Sequence, residues 1–247
     1  MNKLSVLKKY NRSLKGHTDK MNMNYYNKQF LQEHYNKILE QNLQKLLSGG
    51  TGDPFLTSSA ADTRMSLVLV IRIDPEIADK IDNHLNSIKK IEPSLYYYPR
   101  QSFHITVMDI LKGESYRKIP QNINQYIQCI KECTQQIHPF YIAFDGMTAS
   151  DNAAMVKGYY EYELERFRKL LRQSLNEQSL LLEERYETFS SHITTVRIPV
   201  KLAKPRAFVE YIKQPVYFGM MKVNSLELVF HDWYDAQKIV LSQFLLY

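Results

Sequence analysis

Cysteine is nearly absent from this chain of 247 residues, which has only Cys129 and Cys133. Two thiols four residues apart on a predicted helix make no disulfide framework, and no His–Cys cluster has zinc-site spacing. They read as small half-buried hydrophobes, and a reducing, cytoplasmic location is expected. Apolar runs are short: none approaches the roughly eighteen residues of a transmembrane helix, so no membrane partner is expected. The first twenty residues are basic but lack the apolar centre of a secretion signal, and a solvated arm is expected there. The stretch GGTG at 49–52 lacks the Lys-Ser/Thr and the strand–loop–helix setting of a phosphate-cradling loop, so it reads as linker. Carboxylates do not cluster in a way suited to magnesium, and neither metal nor cofactor is expected.

What is present is ordinary globular chemistry, 44% hydrophobic and 23% charged, which excludes disorder. A net charge of +6 would suit a polyanion-binding surface, but its distribution argues against one. Residues 1–50 hold nine basic and three acidic side chains, so the whole surplus sits there and the remainder is balanced. A groove that tracks a polyanion needs local clustering, which this pattern lacks.

Hydrophobic periodicity divides the chain near residue 62. Residues 1–62 are expected to form a basic arm, an amphipathic helix at 25–47 and a linker. In that helix Leu31, Tyr35, Ile38, Leu39, Leu43, Leu46 and Leu47 recur at helical spacing and dock it onto the body. Residues 63–247 read as one domain. Strands are predicted at 65–73, 102–110, 139–150, 153–160, 189–198, 222–232 and 236–247, and helices at 75–91, 121–137, 162–178 and 205–214. The order is that of a doubled β-α-β unit with a hairpin added to each copy. The expected fold is α+β, pseudo-duplicated, with two antiparallel-type sheet lobes around a central cleft and an extra N-terminal helix.

One triplet occurs in both copies: His104-Ile105-Thr106 and His192-Ile193-Thr194. Strand side chains alternate faces, so each His shares a face with its Thr while the isoleucine points into the core. With seven histidines and ten threonines in the chain, chance gives about 0.3 such His-x-Thr triplets, so two at matching places carry information. Histidine exchanges a proton near neutral pH. Two imidazoles on opposite sides of one phosphorus supply base and acid for an in-line displacement, and two hydroxyls donate to the non-bridging oxygens. Which histidine is the base depends on the direction of attack. A bell-shaped pH profile flanking neutrality is expected.

The paired triplets, their separation and the duplication around them resemble the two-histidine (2H) phosphoesterase superfamily, the 2′-5′ RNA ligase-like and cyclic phosphodiesterase group. The resemblance covers residues 65–247. More narrowly, YYYP (96–99), GMTAS (146–150) and LELVFHDWY (226–234) resemble a bacterial subgroup sometimes labelled sugar mutarotase. By resemblance His104 and His192 are the catalytic pair, and Thr106 and Thr194 bind phosphate. The implied substrate is a nucleotide or RNA end bearing a 2′,3′-cyclic phosphate, a 2′-5′ linkage or a cyclic oligonucleotide, handled without metal. RNA ligase-like members often read HxTLxR where this chain reads HITTVR, which makes Arg197 a further phosphate-binding candidate. A regular strand would turn Arg197 away from His192, so a bulge or the end of the strand is needed to bring it in; the first copy has Asp109 at the equivalent place. Phe103 and Tyr98 flank the first triplet and are candidates for stacking on a base, with core packing as the other reading. His231 to Tyr234 reads as a structural turn packing Trp233. Two other functions stay open: a non-catalytic nucleotide- or RNA-binding module on the same fold, and a sugar mutarotase.

Overall fold

The computed structural model describes residues 18–57 and 62–247; the basic arm expected at the N-terminus lies largely outside them. Among the described residues nine strands form: β1 (Arg64–Arg72), β2 (Tyr96–Tyr97), β3 (His104–Ser115), β4 (Phe140–Ala149), β5 (Ala153–Tyr160), β6 (Ile193–Arg197), β7 (Tyr217–Val223), β8 (Ser225–Asp232) and β9 (Lys238–Leu245). Six α-helices accompany them there: α1 (Thr18–Leu47), α2 (Pro54–Thr57), α3 (Pro75–Ile91), α4 (Ile123–Thr134), α5 (Tyr162–Glu177) and α6 (Pro205–Ile212). The strand order is β7-β4-β5-β6-β3-β1-β8-β9, with β2 added beside β6. Each of these pairings is antiparallel. The expected α+β fold with two lobes is therefore present: β7-β4-β5-β6 form one and β3-β1-β8-β9 the other. They meet at a single backbone pair, Ile105 opposite Ile193.

One main core gathers most of the buried apolar side chains. Helix α3 starts at Pro75, whose missing N–H costs nothing in a first turn, and turns Ile77, Ile81, Leu85 and Ile88 inward. Helix α5 does the same with Leu164, Phe167, Leu171 and Leu175. Two strands depart from expectation. Residues 217–223 form their own strand, β7, paired with β4, where only the later part of this segment was expected to be extended. Its alternation was hidden because Gly219, at φ +121°, interrupts it beside a register shift. The two-residue strand β2 is too short for any period to register.

Helix α1 joins the same core through Leu31, Tyr35 and Leu46, each at most 1% exposed, whereas Leu47 faces outward at 38%. It rests on the face of the second lobe that carries the second triplet. Thr148 on β4 stands opposite Met155 on β5, which stands opposite Thr194 on β6, and directly opposed residues share a face. On that face the Thr148 hydroxyl donates to the Tyr35 carbonyl at 2.8 Å. The Tyr35 hydroxyl donates to the Gly158 carbonyl at 3.0 Å and accepts from the Ser191 N–H at 3.2 Å, one residue before His192. No described helix is long and apolar enough to cross a membrane.

Candidate active site

The Ile105–Ile193 pair is a local two-fold axis. Counting outward in an antiparallel ladder, His104 falls across from Thr194 and Thr106 across from His192. All four side chains emerge on one face and are half-buried, while both isoleucines are fully buried on the other. The two histidines are diagonal neighbours, a relation that places Cβ atoms about 7–8 Å apart in a regular ladder.

Beyond each threonine the strand bulges, and both bulges have the same form. On β3, Thr106 faces Val70 and Asp109 faces Val68, so three steps oppose two and Val107 is the extra residue. On β6, Thr194 faces Met155 and Arg197 faces Ala153, with Thr195 extra. The extra residue restores the lost parity, so Asp109 and Arg197 both return to the face of the triplets. Arg197 thereby lies on the face of the second triplet. Val68, Val70 and Val229 form a separate small apolar cluster on this face and floor the first lobe's side of the cleft.

A bulged residue leaves its backbone groups without ladder partners, and a buried orphan carbonyl costs about 1–3 kcal/mol. Arg168 of α5 resolves this. Its Nε donates to the Val107 carbonyl at 2.8 Å, and its Nη2 donates to the carbonyls of Thr106 at 2.9 Å and Ser190 at 2.7 Å. One buried guanidinium thus ties both triplet strands together. The second bulge is met from β2's side, where the Tyr98 N–H donates to the Thr195 carbonyl at 3.0 Å. Gly158 leaves no room for a side chain, because a Cβ there would lie 2.1 Å from the Ser191 carbonyl. The backbone before His192 is therefore fixed by Gly158, Tyr35 and Arg168 together.

The two rings are held differently. His104 Nδ1 sits 2.8 Å from the Ser102 carbonyl, an acceptor only, so Nδ1 carries the proton and Nε2 keeps its lone pair. His192 Nδ1 sits 2.9 Å from the Ser190 hydroxyl, which can donate or accept. Burial, reinforced at His104 by His231 and at His192 by Arg197, lowers both imidazoles to about 4. Both are therefore neutral in the unliganded protein at neutral pH. Unfolding restores a pKa of about 6.5, so the unfolded chain binds more protons and stability declines as pH falls from about 6.5 to about 4. A His104→Gln, His192→Gln double variant is expected to flatten the fall in Tm over that window, as thermal melts would record.

Behind His104 lies a group of charges that the sequence reading took for a turn. The His231 ring lies 5.7 Å from the His104 ring, centroid to centroid. His231 Nδ1 pairs with Asp235 Oδ1 at 2.8 Å, and Asp235 also receives Arg72 at 2.7 Å and Lys238 at 2.7 Å. Burial pushes the Asp235 carboxyl up, but hydrogen bonds from His231, Arg72 and Lys238 outweigh it and hold the carboxyl well below the usual range. On β1, His104 stands opposite Arg72 and His231 opposite Ser66, so the rings meet only because the sheet curls strongly and the β8–β9 turn folds over its concave face.

Of the stacking candidates, Phe103 is 1% exposed inside the main core and has no face open to a base. Tyr98 is 4% exposed, and its hydroxyl accepts from Arg197 Nε at 3.3 Å, so it orients Arg197 rather than stacking. Among the described residues no three His, Cys, Asp or Glu side chains gather as a metal site.

This α+β fold, two lobes meeting at paired triplet strands, is the LigT-like fold. E. coli LigT superposes with a TM-score of 0.54 at 13% identity, over 74% of this chain and 98% of that one. TT0787 of Thermus thermophilus gives 0.53 at 18% identity, over 74% and 97%, and a further phosphoesterase gives 0.51 at 13%, over 74% and 98%. LigT has also been solved in complex with 3′-AMP, with ATP and with phosphate. No protein-family model matches this sequence, and no curated protein matches it significantly, so the kinship is one of fold.

Proposed function

We propose that this protein is a metal-independent phosphodiesterase acting on a nucleotide or RNA end with a 2′,3′-cyclic phosphate, a 2′-5′ linkage or a cyclic oligonucleotide. The observation that carries the reading is the two-fold set of half-buried His104, Thr106, His192 and Thr194 on one face of adjoining strands. That LigT, on the same fold, binds 3′-AMP and phosphate supports a phosphate-bearing ligand here.

His104, with Nε2 unprotonated, takes the proton of the attacking water or ribose hydroxyl. His192 gives a proton to the leaving oxygen. Thr106 and Thr194 donate to the non-bridging oxygens, and Arg197 supplies positive charge on the same face. Both rings start neutral, so His104 can accept a proton, and the phosphate anion, once seated, raises the pKa of the imidazoles beside it so that His192 can hold one. The test is a panel of 2′,3′-cyclic nucleotides, 2′-5′ oligonucleotides, cyclic dinucleotides and an aldose anomer, assayed with chelator present. Turnover of one phosphodiester class is expected. Anomer exchange alone would support the mutarotase reading, and binding without turnover the non-catalytic one.

A further inference from the structure

Trp233, the chain's single tryptophan, stands on the cleft among three guanidiniums. Arg185 lies 4.4 Å from its ring, Arg64 4.6 Å and Arg197 5.7 Å. They are not equivalent. Arg64 is held by Asp62 through two hydrogen bonds of 2.6 and 2.8 Å and also lies over Phe55 at 4.0 Å. Arg197 bonds the neutral Tyr98 hydroxyl. Arg185 meets Asp109 loosely, at 3.5 Å, and its side chain is 45% exposed. Two like charges, one on a neutral hydroxyl and one on a long ion pair, are thus gathered on one indole. Each of these two guanidiniums lies at cation–π distance from the indole and uses its Nε on Asp109 or Tyr98, so its terminal Nη groups are the donors that would meet a phosphate.

Arg197 lies three residues beyond Thr194 on the same face, at most about 10 Å along the strand. We propose that Trp233, Arg185 and Arg197 form a second anion subsite that takes the phosphate next to the reacting one along an oligonucleotide. This deepens the phosphodiesterase reading and rests on it for the position of the first phosphate. It implies a substrate of two or more linked nucleotides in preference to a mononucleotide.

The tryptophan is its own reporter, and binding can be read without turnover. Fluorescence of Trp233 is titrated with uridine 3′-phosphate and with the dinucleotide UpUp, which carries two phosphates. The dinucleotide is expected to bind about 10-fold tighter or more, the size of one charge-assisted hydrogen bond, and to show the steeper loss with salt. Arg185→Ala should erase most of that preference and Arg185→Lys restore part of it, with thermal melts confirming that both variants fold. Equal affinity for the two ligands in the wild type, or a preference that survives Arg185→Ala, overturns the proposal. Turnover is measured separately: a preference without hydrolysis of any phosphodiester would sink the catalytic reading and leave the subsite standing.

Discussion

Alanine in place of His104 or His192 is expected to lower kcat/KM by about 100- to 10,000-fold on the phosphodiester that the wild type hydrolyses, with chelator present throughout. The two losses should differ in kind. A leaving group that needs no proton, such as p-nitrophenolate, removes the demand for an acid, so the His192→Ala defect should shrink on such a substrate while the His104→Ala defect persists. The pH profiles add a second check. In the free protein both rings sit at about 4, so the singly protonated form grows as pH falls from 7 toward 5 and kcat/KM should rise with it. In the complex the bound anion raises both values, so kcat should peak at higher pH than kcat/KM. Wild-type turnover by either alanine variant would end the acid–base assignment, and coincident kcat and kcat/KM profiles would end the account of how the acid acquires its proton.

Arg168→Met should be the most damaging substitution outside the triplets. It retains the apolar stem but removes the donors to the Val107, Thr106 and Ser190 carbonyls. Relief from burying the guanidinium offsets part of the cost. Orphaning three carbonyls dominates, and a net loss of about 3–5 kcal/mol is expected, with Tm lower by about 10 °C. Activity should fall further than stability alone explains, because the two triplet strands lose their shared tie. Arg168→Lys keeps the charge and one donor direction but not the fork, and should recover only a part. A methionine variant that melts within about 2 °C of wild type and turns over normally would show that the bulges hold themselves.

Much of the site was legible because strand alternation is strict. His104 with Thr106, and His192 with Thr194, could be placed on one face from spacing alone, and the doubled element order brought the two faces together. Arg197 illustrates where alternation stops: its separation from His192 points it the wrong way, and only the extra Thr195 corrects it. No local residue type announces that bulge. Arg168 did leave a trace, since it occupies an inward position of the stripe formed by Leu164, Phe167, Leu171 and Leu175. An arginine at a core position signals buried acceptors that it must serve, although nothing in the sequence says which. His231, Asp235 and Arg72 left none. They meet through the curl of the sheet, a property of many residues at once.

The tandem arrangement has a consequence for how the two imidazoles differ. Two identical subunits meeting on a two-fold axis would have to hold both imidazoles in the same way. Here both halves belong to one polypeptide, so each ring can be given its own neighbour: a backbone carbonyl behind His104, a serine hydroxyl behind His192. Holding both halves in one chain releases the pair from the equivalence that a homodimer would impose, so each ring can be tuned by ordinary point substitution.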